Sequence, residues 1–210
     1  MAKRDRDGDE EMGDAGEDPD AEAALIEKFL ASVKAGDVET TKACLAEDAD
    51  LVTLEDNDTQ WTPLHHAVKG AHLPVVRELL KKGAAVGATT HHDSTALHIC
   101  ACNAGPAQSA EVVTNMERIS TLLLDRGVPL QALDNKKNTA MHRAAQHGSF
   151  GVLRTLLLLA GDDGSRNLDG QSVMDRAVAS GHEQTIALMK QPPVAKSYFQ
   201  TQGEAGPSGA

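Results

Sequence analysis

The stretch Thr62-Pro63-Leu64-His65-His66-Ala67 decides how this chain is read, because variants of its opening four residues return three times. Thr95-Ala96-Leu97-His98, Thr139-Ala140-Met141-His142 and Ser172-Val173-Met174-Asp175 align with it, their starts separated by 33, 44 and 33 residues. The longer spacing equals the shorter plus an insertion of 11 residues. A hydroxyl residue ahead of an apolar run is a helix N-cap, since its side-chain oxygen satisfies a backbone N–H that has no partner inside the helix. Pro63 then falls where a missing N–H costs nothing. Gly148 and Gly181 lie nine residues beyond their caps, where a left-handed residue closes a short helix, and Gly36 holds a related position at the front.

The remainder of each unit follows the same plan. After Thr62 come Ala67, Val75-Val76, Leu79-Leu80 and Gly83-Ala84, the pattern of an inner helix, an outer helix and a closing turn. Leu122-Leu123-Leu124-Asp125-Arg126-Gly127 restores that ending in the third unit. The fourth gives Ala144-Ala145, Gly148 and Leu156-Leu157, with its closing turn shifted to Gly161. These residues resemble the ankyrin repeat, whose unit has a period of about 33 residues and a Thr-Pro-Leu-His-x-Ala signature. The resemblance covers residues 23–191 and implies an all-α solenoid of helix-turn-helix units with β-turn or hairpin connections. Five repeats are expected: 23–57, 58–90, 91–133 with the insertion, 134–166 and 167–191. The first lacks the Thr-Pro-Leu-His start and the last replaces its histidine by Asp175, as suits capping repeats with a polar outer face.

Composition agrees with this reading. The chain has 210 residues, 40% of them hydrophobic but only 2% aromatic, so its core is built from Leu, Val, Ile and Ala. The formal charge of −11 is concentrated at the front, where residues 1–22 carry ten carboxylates against Lys3, Arg4 and Arg6. Residues 1–22 and 192–210 therefore read as solvated tails. An acidic balance disfavours a phosphate-backbone surface, so no nucleic-acid partner is expected. No apolar run approaches the length of about 20 residues that spans a bilayer, so no membrane partner is expected either. Cys44, Cys100 and Cys102 do not form a disulfide framework, and no secretory signal pattern opens the chain, which points to a cytoplasmic or nuclear protein, monomeric in isolation.

Catalytic and metal chemistry find little support. His65, His98 and His142 occupy one slot of the repeat, where the resemblance implies a structural role near the helix start and between neighbouring repeats. Thr62, Pro63, Leu64, Thr95, Leu97, Thr139, Met141 and Ser172 complete that structural motif. His98 and Cys102 share a helix face, with Cys100 between them, but zinc needs about four ligands. Cys100 falls at the small buried position filled elsewhere by Ala67 and Ala144. No nucleophile stands beside a base and an orienting group, and no phosphate-cradling glycine loop is present. The chain is expected to be no enzyme and to need no cofactor or metal.

The expected function is protein binding, as an adaptor or regulatory subunit, with a stoichiometric inhibitor as the alternative and a small enzyme or metal-dependent factor as a minor one. In ankyrin-like proteins the variable residues of turns and inner helices form the recognition surface. The matching positions here are Asp58, Thr59, Trp61, Lys69, His91, His92, Ser94, Asn135, Lys136, Asn138, Gln146 and His147. Trp61 stands out, since its equivalents Ser94, Asn138 and Gln171 are small or polar and Trp is enriched in interface hot spots. Lysine and histidine along this stripe suggest an acidic or polar partner. The insertion, residues 103–114, is a second candidate: Gly105-Pro106 ends the inner helix, Ser109 can start an extended outer one, and Val112, Val113 and Met116 form an apolar face that either binds or packs.

Overall fold

The computed structural model describes residues 19–161 and 164–191. Its helices alternate between two layers. The inner layer holds α1 (Pro19–Ala35), α3 (Pro63–Lys69), α5 (Ala96–Asn103), α7 (Ala140–His147) and α9 (Val173–Ser180). The outer layer holds α2 (Val38–Glu47), α4 (Leu73–Lys81), α6 (Ala110–Asp125), α8 (Phe150–Ala160) and α10 (Glu183–Met189), with a 3-10 turn at Asp50–Thr53. Each inner helix packs on the next inner helix and each outer helix on the next outer one. The chain is thus an all-α repeat solenoid, and a single isolated bridge, Thr89 to Thr95, is the β pairing among the described residues.

The first helix begins at Pro19, four residues ahead of the expected boundary at 23. Asp20 and Glu22 lie in its first turn, where negative charge is favourable against the helix dipole. Residues 1–18 and 192–210 lie outside the described residues.

The caps form where the hydroxyl residues stand. Thr62 Oγ1 accepts the His65 N–H while His65 Nδ1 accepts the Thr62 N–H at 3.1 Å, a reciprocal box that closes the helix start. The same pairing recurs at Thr95 with His98 and Thr139 with His142. Ser172 and Asp175 make it with a carboxylate in place of the imidazole. Gly148 and Gly181 end α7 and α9 at φ 68° and 72°, the left-handed region in which a glycine escapes the Cβ penalty.

The core runs the length of the array as one apolar seam between the layers. Ala67, Cys100, Ala144 and Ala177 hold one slot on successive inner helices and none of them touches solvent. A small side chain there lets neighbouring inner helices approach, so Cys100 serves as a small hydrophobe. Leu45, Leu79, Leu123 and Leu156 fill the outer side of the seam, all but completely buried.

The apolar face of the insertion packs, while residues 106–111 are exposed. Ser109 caps α6 by accepting the Val112 N–H at 3.3 Å, and the helix runs 16 residues against 9 in α4. Met116 is fully buried, Val112 lies against the core, and Val113 is half-buried. Gly105 is buried so closely against the fourth repeat that a Cβ there would strike the main-chain oxygen of His147. Hence the extra residues lengthen the outer helix, with Val112 and Met116 turned onto the core.

Candidate groove on the inner-helix face

The hairpins that link the repeats give the site its edge. Gln60, Asp93, Lys137 and Gly170 occupy one position in successive hairpins, with φ of 55°, 58°, 55° and 72°. Each hairpin is zipped to its neighbour by main-chain bonds of 3.0 Å: His91 N–H to Thr59 O, Asn135 N–H to His92 O, and Leu168 N–H to Lys136 O. With the backbone engaged in this way, the side chains of Asp58, His91, His92, Asn135 and Lys136 stand exposed at the tips.

Below the tips lies an open groove of about 380 Å³. Its walls include Trp61, Lys69, His92, Ser94, Asn135 and Lys136 from the expected surface. Trp61 is half-buried, its ring tilted 47° to that of His66 at 5.1 Å and 57° to that of His65 at 6.0 Å. The indole therefore rests on two imidazoles of its own repeat while presenting part of its surface to the groove. Lys69 reaches across to Asn103 Oδ1 at 3.4 Å, spanning from α3 to α5.

The other expected residues are placed elsewhere. Asp58 is exposed at a hairpin tip. Thr59 gives its carbonyl to both the N–H and Nδ1 of His91, whose ring lies 3.7 Å from that of His92. Gln146 and His147 lie toward the last repeat, where Gln146 accepts from Arg176. Asn138 departs from the expectation: it is 1% exposed and is no contact residue. Its side chain donates to both carboxylate oxygens of Asp134 at 3.2 Å and accepts from Asn167 at 3.1 Å, so it ties two successive hairpins together. The slot that holds Trp61 in the second repeat is turned inward here because acceptor and donor both await it inside.

Arg143 and Ile99 also line the groove without being expected there, as do Cys102, weighed in the sequence as a metal ligand, and Asn103, the first residue of the insertion. Their signal was available: Ile99 and Arg143 stand four residues past a cap, as His66 does, and Cys102 stands seven past, as Lys69 does. Arg143 is held by Asp134, its Nε donating to Oδ2 at 2.6 Å. Burial alone would raise the Asp134 carboxyl, but the Asn138 amide and Arg143 hold it below its ordinary value.

The histidine ladder lies beneath the groove. His65, His98 and His142 direct Nε2 at carbonyls further along the chain, that of Ala88 in the closing part of the same repeat and those of Asn138 and Gln171 in the following one, at 3.2, 3.1 and 3.1 Å. Because Nδ1 accepts the cap N–H, Nε2 carries the proton and the ring is neutral. Burial lowers the pKa of His65 to about 4 and that of His98 in the same direction. Among the described residues no group of three or more His, Cys, Asp or Glu is arranged to hold a metal ion.

Comparison with known sequences fits this geometry. Family models described as ankyrin repeats match residues 29–118 (three copies) and 113–157 (many copies). The chain belongs to the ankyrin-repeat family. It is 31% identical over 153 residues to the human (Homo sapiens) B-cell lymphoma 3 protein, which covers 69% of this chain and 31% of that one. With the Gallus gallus nuclear factor NF-kappa-B p105 subunit it shares 30% over 162 residues, 64% of this chain and 16% of the relative. With human Rabankyrin-5 it shares 32% over 121 residues, 57% and 10%. The chain thus spans about a third or less of the length of these relatives. Ankyrin repeats mediate protein–protein interaction and are not typically enzymatic, and among the described residues no helix is long and apolar enough to cross a membrane.

Proposed function

We propose that this ankyrin array is an adaptor or regulatory subunit that holds a segment of another protein in the groove across α3, α5 and α7, in the cytoplasm or nucleus. The observation that carries the reading is the placement of Trp61, a half-buried indole on the groove wall beside Lys69, His92 and Lys136. Layer packing does not require a ring at that position, since Ser94 holds the same slot one repeat later within the same fold. An amphipathic aromatic flanked by polar groups is the composition of an interface anchor.

The test is a photo-crosslinking residue at Ser94, followed by affinity measurements on the partner so recovered. Trp61→Ala is expected to weaken that partner by about 2 kcal/mol or more, within the range of interface hot spots. Normal binding by Trp61→Ala together with early melting would assign the ring to the scaffold alone. If the captured partner is an enzyme and loses activity in stoichiometric complex, the regulatory form is inhibition.

A further inference from the structure

The charge of this chain is segregated. It carries 31 Asp and Glu against 20 Lys and Arg, yet residues 62–71, 95–104 and 139–148, which hold the three central inner helices and their caps, contain no carboxylate. Lys69, Lys136 and Arg143 line the groove, and no acidic residue does. Asp93, exposed at a hairpin tip between the lining residues His92 and Ser94, is not itself part of the wall. The Asp134 side chain is fully buried against Arg143. It neutralises part of that guanidinium and fixes its direction. Lys69 and Lys136 are exposed and take part in no ion pair among the described residues. The ammonium of Lys69 donates to the neutral amide of Asn103 at 3.4 Å.

We propose that the groove takes an acidic segment of a partner protein, with an apolar side chain of that segment against Trp61 and its carboxylates toward Lys69 and Lys136. This rests on the reading of the groove as the protein-binding face and names the chemistry of its occupant. Two unpaired ammonium groups on the wall of an open cleft give a local positive potential inside a negative molecule, which favours carboxylates at the cleft and repels them elsewhere. A nucleic acid is the weaker fit. Its dense phosphate charge would meet few cations in the groove and a strongly acidic remainder outside it.

The experiment pans a random twelve-residue phage-displayed peptide library on the full chain and, in parallel, on Trp61→Ala and on the double variant Lys69→Gln/Lys136→Gln. Both lysines are exposed, so circular dichroism of the double variant is expected to match the parent. Clones that lose binding to Trp61→Ala are expected to be enriched in Asp and Glu. Trp61 is the chain's single tryptophan, so its fluorescence reports directly on groove occupancy by the synthetic peptides. Exchange of their acidic residues for amides, or use of the double lysine variant, is expected to weaken binding about tenfold or more. Raising the salt from about 50 to about 300 mM is expected to weaken it several-fold, because exposed charge pairs are screened.

Groove-dependent clones without acidic enrichment would overturn the acidic assignment and leave the groove reading standing. Clones indifferent to every groove variant would overturn both. Competition by a twelve-nucleotide oligo-dT as strong as that of the acidic peptides would overturn the protein segment in favour of nucleic acid.

Discussion

The imidazole of His98 on α5 donates through Nε2 to the main-chain oxygen of Asn138, 3.1 Å away and forty residues further along the chain. Its other nitrogen accepts the Thr95 N–H at 3.2 Å, so one ring closes a helix start and fastens the third repeat to the fourth. That join spans the insertion, where the period of the repeats is broken. The Asn138 oxygen also accepts the Asp134 N–H at 2.9 Å and keeps that bond without the ring, so His98→Ala is expected to orphan the buried Thr95 N–H and to cost about 1–3 kcal/mol. Urea unfolding followed by circular dichroism measures it. Lys69→Gln, on the exposed groove wall, is expected to move stability by no more than about 0.5 kcal/mol.

The same ladder sets a pH dependence. Burial holds His65 at a pKa of about 4 in the folded chain, below its ordinary 6.5. The unfolded chain therefore takes up a proton that the folded one refuses, and stability is complete above pH 6.5 and declines as the pH falls toward 4. At pH 5 the loss from one such histidine is about 2 kcal/mol. Melting temperatures between pH 7.5 and 5 check it, and a histidine-to-glutamine change at position 65 is expected to flatten the profile.

Two glycines separate rigid from yielding contacts. A Cβ at Gly105 would meet the main-chain oxygen of His147, and one at Gly151 would meet the side chain of Glu117. The carbonyl is fixed by α7, whereas the glutamate can swing away. Gly105→Ala is expected to destabilise by about 1–3 kcal/mol, as overpacking does, and Gly151→Ala by clearly less. Thermal melts of the two variants side by side give the comparison.

The three thiols are graded by burial. Cys44 and Cys100 have no exposed surface, whereas Cys102 is half-buried and lines the groove. Burial pushes the Cys100 thiol far up, and that of Cys102 is raised by the same cause. Modification by iodoacetamide is expected to be slow overall and to reach Cys102 first, with a groove-bound partner slowing it further. Mass spectrometry of the alkylated peptides reads the order, and faster labelling of Cys100 would contradict its place in the core.

Local chemistry made most of the fold legible. Thr62, Pro63 and His65 announce a helix start through interactions only three residues long, so the repeats can be counted from their spacing. The insertion is legible in part: Ser109 marks the new helix start, but whether Val112 and Met116 bind or pack depends on the core, which they meet only in three dimensions.

Asn138 and Arg143 mark the boundary of what the sequence by itself determined. Register placed Asn138 in the slot of Trp61 and called it a contact residue, because adjacent positions in a repeat share a direction. What turns it inward is Asp134 on one side and Asn167, 29 residues away, on the other, and the second partner exists only once the repeats are stacked. Arg143 shows the converse: its place past the cap is written in the sequence, but its aim is fixed by the carboxylate beneath it. Periodicity fixed the helices and their order because caps and turns act over a few residues. The groove, its two lysines with no ion pair among the described residues and the burial of the histidines arise from contacts between repeats, which the chain acquires only when its helices are side by side.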